Sequence, residues 1–411
     1  MKHRLLSIGL AALLLTSCGL LDLDGDGRES VEPVPLTLSA EQQAYVAPGN
    51  AFAVKLLAGV EKNTTDPGYF FSPFSYSTMM TMLLNGTQGE TRAELAAALG
   101  YGESFDPDLV NDYCRQFIER APTWDPKVSL SVANALVANQ DYTIKAPFKT
   151  TLQESFCAEV SSQDFTKVKE TTNYINDWCK KQTRNMIPIV LDAIDPVAIL
   201  YLVNAIYFKG DWAYPFKASE TKDDDFFRAD GSKQTVKMMH QELPSPAGKK
   251  GSVQVLEMPY GSGTFSMQFI LPPLGELAET IAAIEKDGWS TFFSEAEYIG
   301  SKTDVFIPKF EQSFSIKDLA LREAGINKIF NIQAADFSLI CDKPLKIDAV
   351  KHVSSIRLDE TGTEAAAVTI ISGYTAPSPQ ITTFRADHPF LYAIVEKTTG
   401  AIMFLGKYGG D

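Results

Sequence analysis

Histidine is scarce in this chain, with four residues, His3, His240, His352 and His388, among 411. A general base working near neutral pH is usually an imidazole, so the choice of catalytic base is narrow. His240 follows Met238 and Met239 in a polar stretch and His388 precedes Pro389, and both read as surface or packing residues. There is no GxSxG elbow, HExxH, P-loop or GxGxxG; Gly261-Ser262-Gly263 lacks a third glycine and reads as a turn between strands. The expectation is therefore a protein that is not an enzyme and carries no cofactor. Dense runs of lysine or arginine are also missing, and the formal net charge is -14. That balance excludes a phosphate-backbone partner, nucleic acid or heparin-like, because such binding needs clustered positive charge to release counterions. Cysteine is sparse too: beyond Cys18, four scattered residues, Cys114, Cys157, Cys179 and Cys341, form no CxxC. This is neither a zinc pattern nor a disulfide framework, and the expectation is four buried free thiols and no metal site.

The apolar stretch Leu5 to Leu15 is too short to cross a bilayer, and Lys2 and Arg4 precede it. It ends in Leu15-Thr16-Ser17-Cys18, which resembles a bacterial lipobox. The expectation is a lipoprotein signal peptide over 1–17, lipidation at Cys18, and an exported protein anchored to a bacterial membrane, at the outer membrane or cell surface. Residues 18–38 read as a flexible tether. The acidic run Asp22 to Gly27 has the look of a calcium loop, but its twelfth position is Pro33 where a bidentate Glu is needed.

From residue 39 to 411 no linker or internal repeat interrupts the chain, so one domain is expected. Helical periodicity covers 50–61, 73–85, 90–99, 106–121, 145–157 and 170–185. Strand patterns cover Val128–Val137, Ile199–Phe208, Val253–Met258, Phe265–Leu271, Asp304–Phe310, Phe384–Phe390 and Ala401–Lys407. Helices early and strands late, without regular alternation, predict an α+β architecture.

One segment has strand potential and no local partner. After Glu360, Thr361 and Gly362 comes Thr363-Glu364-Ala365-Ala366-Ala367-Val368-Thr369-Ile370-Ile371, and then, beyond Tyr374, Thr375 and Ala376, Pro377 and Pro379. In an extended chain Thr363, Ala365, Ala367, Thr369 and Ile371 share one face, which is uncharged and mostly small. Such a face can enter a sheet without burying charge, with Gly362 as the hinge.

The run Glu360 to Ala367 closely resembles the hinge of inhibitory serpins. Further matches are Phe71-Ser72-Pro73-Phe74-Ser75, Asn204 to Trp212, Met258-Pro259-Tyr260, Asp387-His388-Pro389-Phe390-Leu391 and Phe404-Leu405-Gly406-Lys407, covering about 45 to 408. The resemblance implies a serpin fold, one large domain with three β-sheets, about nine helices and a reactive-centre loop near 360–383. It assigns Ser72, Ser75, Asn204 and His352 to a polar "shutter" beneath the sheet, and Trp212 to the "breach" where the loop enters. It implies a monomer that traps a serine or cysteine endopeptidase as a covalent acyl complex when the cut loop inserts into the sheet. Counting as the family does, the attacked bond follows Ala376, which makes Pro377 a poor leaving residue; bonds after Tyr374 or Thr375, or near Ser378 or Gln380, are alternatives. Tyr374 suits a chymotrypsin- or subtilisin-like enzyme and Thr375-Ala376 an elastase-like one. No Lys or Arg lies between Gly362 and Thr383, which argues against trypsin-like targets. The rival reading within the family is a non-inhibitory surface binding module.

Overall fold

Aromatic and β-branched runs build many of the strands. The computed structural model describes residues 33–315, 318–347, 350, 353–363 and 381–410. A seven-stranded antiparallel sheet has the order β1 (Tyr69–Phe71), β17 (Ile402–Tyr408), β16 (Phe390–Glu396), β9 (Phe265–Leu271), β8 (Val253–Tyr260), β7 (Gly248–Lys250), β10 (Glu297–Tyr298). Every residue of β16 and β17 is buried, so neither strand alternates in the manner of a half-solvated one. A second sheet has the order β15 (Ile381–Arg385), β11 (Lys302–Pro308), β6 (Lys233–Leu243), β5 (Lys222–Phe227). A third runs β14 (Gly362–Thr363), β4 (Leu200–Asp211), β2 (Val128–Asn139), β3 (Glu159–Gln163), and β12 (Phe310–Ser315) pairs with β13 (Val353–Leu358).

Ten α-helices occur among the described residues: α1 (Ala40–Gln43), α2 (Val46–Asn63), α3 (Pro73–Leu84), α4 (Gly89–Ala98), α5 (Pro107–Arg120), α6 (Ala146–Phe156), α7 (Val168–Gln182), α8 (Leu277–Asp287), α9 (Thr291–Ser294) and α10 (Asp318–Glu323). Helix α3 starts where it must: Pro73 needs no hydrogen bond for its nitrogen, and Ser72 caps by accepting from the Ser75 N–H at 3.1 Å. The Ser72 hydroxyl also donates to the Met403 carbonyl at 2.7 Å, which ties the helix to β17. Aromatic contacts carry the core across the layers. Phe208 of β4 meets Phe404 of β17 edge-on at 5.9 Å and Phe265 of β9 at 5.6 Å. The opposite face of β2 and β4 is covered by α7, through Ile175 and Cys179 against Val137 and Val203.

Four expectations need correction. The run Asp304–Phe310 is not one strand: β11 ends at Pro308 and β12 begins at Phe310 in another sheet, since proline cannot extend a ladder. Likewise Phe384–Phe390 is the end of β15 and the start of β16, separated by a connection that contains Pro389. Cys114, Cys179 and Cys341 are buried free thiols, and burial pushes Cys114 and Cys179 up to about 12, but Cys157 is exposed at the left-handed cap of α6, φ 50°. The last residues assigned to the tether are already docked, because the Val34 carbonyl accepts from Arg120 Nε at 3.0 Å and Leu36 is buried. The fold is the α+β serpin fold expected, and its ladders fall into four hydrogen-bonded sheets among the described residues, where none joins β4 to β13.

Candidate functional site

Beyond Leu358, the chain turns back on itself at Asp359–Gly362, and the turn is held by Asp359. Its amide donates to the Gly362 carbonyl at 2.9 Å, and its carboxylate accepts from the Thr361 N–H at 3.0 Å and hydroxyl at 2.7 Å. This delivers β14 to β4, antiparallel, with Gly362 opposite Asp211 and Thr363 opposite Gly210. Gly362 has φ 147°, and a Cβ there would lie 2.2 Å from the Gly210 carbonyl oxygen and 2.7 Å from the Asp211 Cα. Only glycine fits so close a backbone approach. The hinge glycine is thus also a packing requirement.

Trp212 sits directly after this pairing. Its indole stacks on Tyr260 at 4.4 Å with the rings 8° apart, its Nε1 donates to the Asp359 carbonyl at 3.1 Å, and its amide donates to the Thr361 carbonyl at 2.8 Å. Thr363 is 3 % exposed, and its hydroxyl lies 2.9 Å from the Tyr260 hydroxyl. Both residues of β14 are buried, and the alternation that the sequence implies beyond Thr363 falls outside the described residues. Glu360 anchors the turn from the other side. Its carboxylate accepts from Lys309 Nζ at 2.7 Å and from the Thr221 hydroxyl at 2.9 Å, while its carbonyl accepts from the Phe216 amide at 2.7 Å. Burial alone would raise the Glu360 carboxyl, but these donors outweigh it and hold it below the usual carboxylate range.

Further down β4 the site becomes underfilled. Asn204 donates through Nδ2 to Asn134 Oδ1 at 2.8 Å, yet its own Oδ1 is buried without a partner among the described residues, as is Ser75 Oγ. Orphaned buried oxygens are uncommon and destabilising. Just beyond, a cavity of about 190 Å³ opens between α3 and the first residues of β4, lined by Met79, Met80, Leu83, Leu200, Leu202 and Val350. The structure so brings Ser72 and Ser75 of α3 beneath the same sheet face that displays Asn204, and it places Trp212, Glu360, Gly362 and Thr363 together at the other end.

His352, Glu364, Ala365, Ala366, Ala367, Tyr374, Thr375, Ala376, Pro377 and Cys18 lie outside the described residues. Two partners escaped the sequence reading. Tyr260 stands in the Met258-Pro259-Tyr260 motif, which could have flagged it. Lys309 follows Pro308 with no local pattern, and only the fold brings it to Glu360.

A family profile described as Serpin (serine protease inhibitor) matches residues 48–409. Serpin B8 of Bos taurus is 32% identical over 366 residues, covering 87% of this chain and 96% of its own. An uncharacterized serpin-like protein of Thermococcus kodakarensis is 32% identical over 362 residues, covering 86% and 82%. Among solved structures, the native thermophilic serpin tengpin superposes with a TM-score of 0.81 at 25% identity, covering 92% of this chain and 97% of its own. Thyroxine-binding globulin in complex with thyroxine gives 0.79 at 27% identity, covering 89% and 99%. With the profile spanning residues 48–409 and relatives 32% identical over most of both chains, this chain belongs to the serpin family.

Proposed function

We propose that this chain is a single-use inhibitor of a serine or cysteine endopeptidase, exported and held at a bacterial membrane through lipid on Cys18. The target would attack the carbonyl carbon of a loop bond after Tyr374, Thr375 or Ala376. The C–N bond would break, the amine leaving on the β15 side with a proton, and the carboxyl side would remain esterified to the enzyme. The freed strand would then add to β4 and carry the enzyme along.

The observation that carries this reading is the register of β14 on β4. An extended strand continuing from the Thr363–Gly210 pair would set Ala365 beside Phe208, Ala367 beside Ile206, Thr369 beside Asn204 and Ile371 beside Leu202. Those partners face the core with Gly210, since Leu130, Val132, Asn134 and Leu136 stand opposite them on β2. No charge would be buried, the Thr369 hydroxyl would reach the orphaned Asn204 Oδ1, and Ile371 would arrive at the apolar cavity. Gain of burial and of a hydrogen bond supplies the driving force. A loop without Lys or Arg between Gly362 and Thr383 favours elastase-like or chymotrypsin/subtilisin-like targets over trypsin-like ones.

A second reading, a non-inhibitory surface binding module, is favoured by the likeness to thyroxine-binding globulin. Incubating the purified protein with elastase and with chymotrypsin, followed by a denaturing gel, separates the two. A covalent band at the summed mass is the expected result; clean cleavage without that band selects the binding module.

A further inference from the structure

His388 occupies the connection between β15 and β16, with 17 % of its side chain exposed. Its Nδ1 lies 2.7 Å from Asp387 Oδ1, and its Nε2 lies 2.7 Å from the Pro272 carbonyl oxygen at the end of β9. Both neighbours are acceptors. A neutral imidazole has one N–H and would turn a lone pair toward one of them, so only the imidazolium satisfies both. Burial by itself would lower its pKa, but the bonds to Asp387 and Pro272 and the Asp387 charge outweigh this and raise it. The groups packed around it are few. Asp387 also accepts from Arg385 Nε at 3.2 Å, Arg385 reaches across to Asp224 of β5, and the Asp387 carbonyl accepts from the Phe227 amide at 2.8 Å. On the same sheet His240 pairs with Asp304 and stacks on Phe306, over which the Arg385 guanidinium also lies.

We propose that the His388 imidazolium is a pH-dependent fastener that clamps β15, the far anchor of the loop, to the central seven-stranded sheet. The consequence for inhibition rests on the loop-insertion reading above. An uncut loop that ran along β4 from Thr363 to a residue opposite Leu200 would travel about 33 Å away from the hinge. Seven residues remain before Ile381, and the eight Cα-to-Cα steps they make reach about 28 Å. They would have to return that length and also cross the sheet order β5-β6-β11-β15 from the Thr221–Glu360 contact, about 14 Å sideways. Full insertion of the intact loop therefore demands that β15 detach. Holding β15 keeps the uncut molecule in its loop-exposed form, more firmly in acid than in base.

The sign follows from the raised pKa: the clamp is complete below the ordinary imidazole value of about 6.5 and is lost as pH rises through the folded value. The test is hydrogen exchange on the full protein between pH 5.5 and 8.5, with each rate divided by its intrinsic rate. Protection of the Ile381–Arg385 amides is expected to fall by about tenfold across that span, as befits one charge-assisted hydrogen bond. Amides of β2, remote from the cluster, serve as the control and should stay flat. In His388→Gln the β15 dependence should vanish although His240 is intact. Unchanged β15 protection in the wild type, or the same fall in His388→Gln, overturns the proposal. Should that variant fail to fold, nitrogen-15 shifts of the wild-type imidazole decide: a neutral ring at pH 6 sinks the idea. Because no protease enters this measurement, failure to trap one would leave the fastener standing, and loss of the fastener would leave trapping untouched.

Discussion

Asn204 shows what a single side chain contributes to a molecule that must stay unfinished. Its amide nitrogen is satisfied by Asn134, its oxygen has no donor among the described residues, and on the insertion reading Thr369, two pairs beyond Ile206 in the continued register, would supply one. Leaving such an oxygen buried without a donor costs about 1–3 kcal/mol. Thr369→Val keeps the branched shape and removes the hydroxyl. It should leave the intact protein as stable as before and make the clipped form about 1 kcal/mol less stable than its wild-type counterpart, read from denaturant midpoints of the two forms. An equal loss in both forms would show that Thr369 acts elsewhere. Gly362 contributes by what it lacks, since no side chain can stand 2.2 Å from the Gly210 carbonyl.

At the scale of elements, the decisive piece is the two-residue strand β14. It buries Thr363 against Tyr260, and among the described residues no ladder joins β4 to β13. Replacing Thr363 by Arg would place a guanidinium on the entering face, where an unpaired buried charge costs several kcal/mol. The variant should be cut at the same bond but yield little covalent complex, so that the gel shows clipped inhibitor and free enzyme; undiminished trapping would refute the face assignment. Of this element the structure describes only Gly362 and Thr363, and the alternation of small residues that follows in the sequence lies outside the described residues. The early helices were legible in the sequence because their signals are local: Pro73 after Ser72, and Pro107 after Asp106, mark starts that the structure places at those residues. What escaped was non-local. Nothing near Lys309 announces Glu360, and a sheet change at Pro308–Phe310 looks in one dimension like a strand running on. Cys157 escaped because exposure at a helix end depends on a left-handed turn that its neighbours do not encode.

For the whole molecule, stability is divided between a finished core and an unfinished sheet. The hairpin β16–β17 is sealed on both faces, whereas among the described residues β4 has one edge paired at Gly210 and Asp211 alone and a cavity of about 190 Å³ near its start. Apolar voids of this kind are destabilising in proportion to their volume. Clipping the loop should let the strand occupy both, so the cut protein is expected to melt at a markedly higher temperature than the intact one, measured by calorimetry on the two forms side by side. Equal melting temperatures would remove the stored energy on which trapping depends.

The length of β4 carries one more consequence. The strand has twelve residues, and a cut after Tyr374 would release twelve from Thr363 onward, a cut after Ala376 fourteen. Because Thr363 pairs with Gly210, β4 has places for eleven of these; a cut near Gln380 would release eighteen, seven too many to be taken up, leaving about 23 Å of slack between the enzyme and the end of the ladder. On the trapping reading β4 would act as a ruler: an attacker that severed the loop too far downstream would stay on a long leash, undistorted, and could complete its hydrolysis and leave.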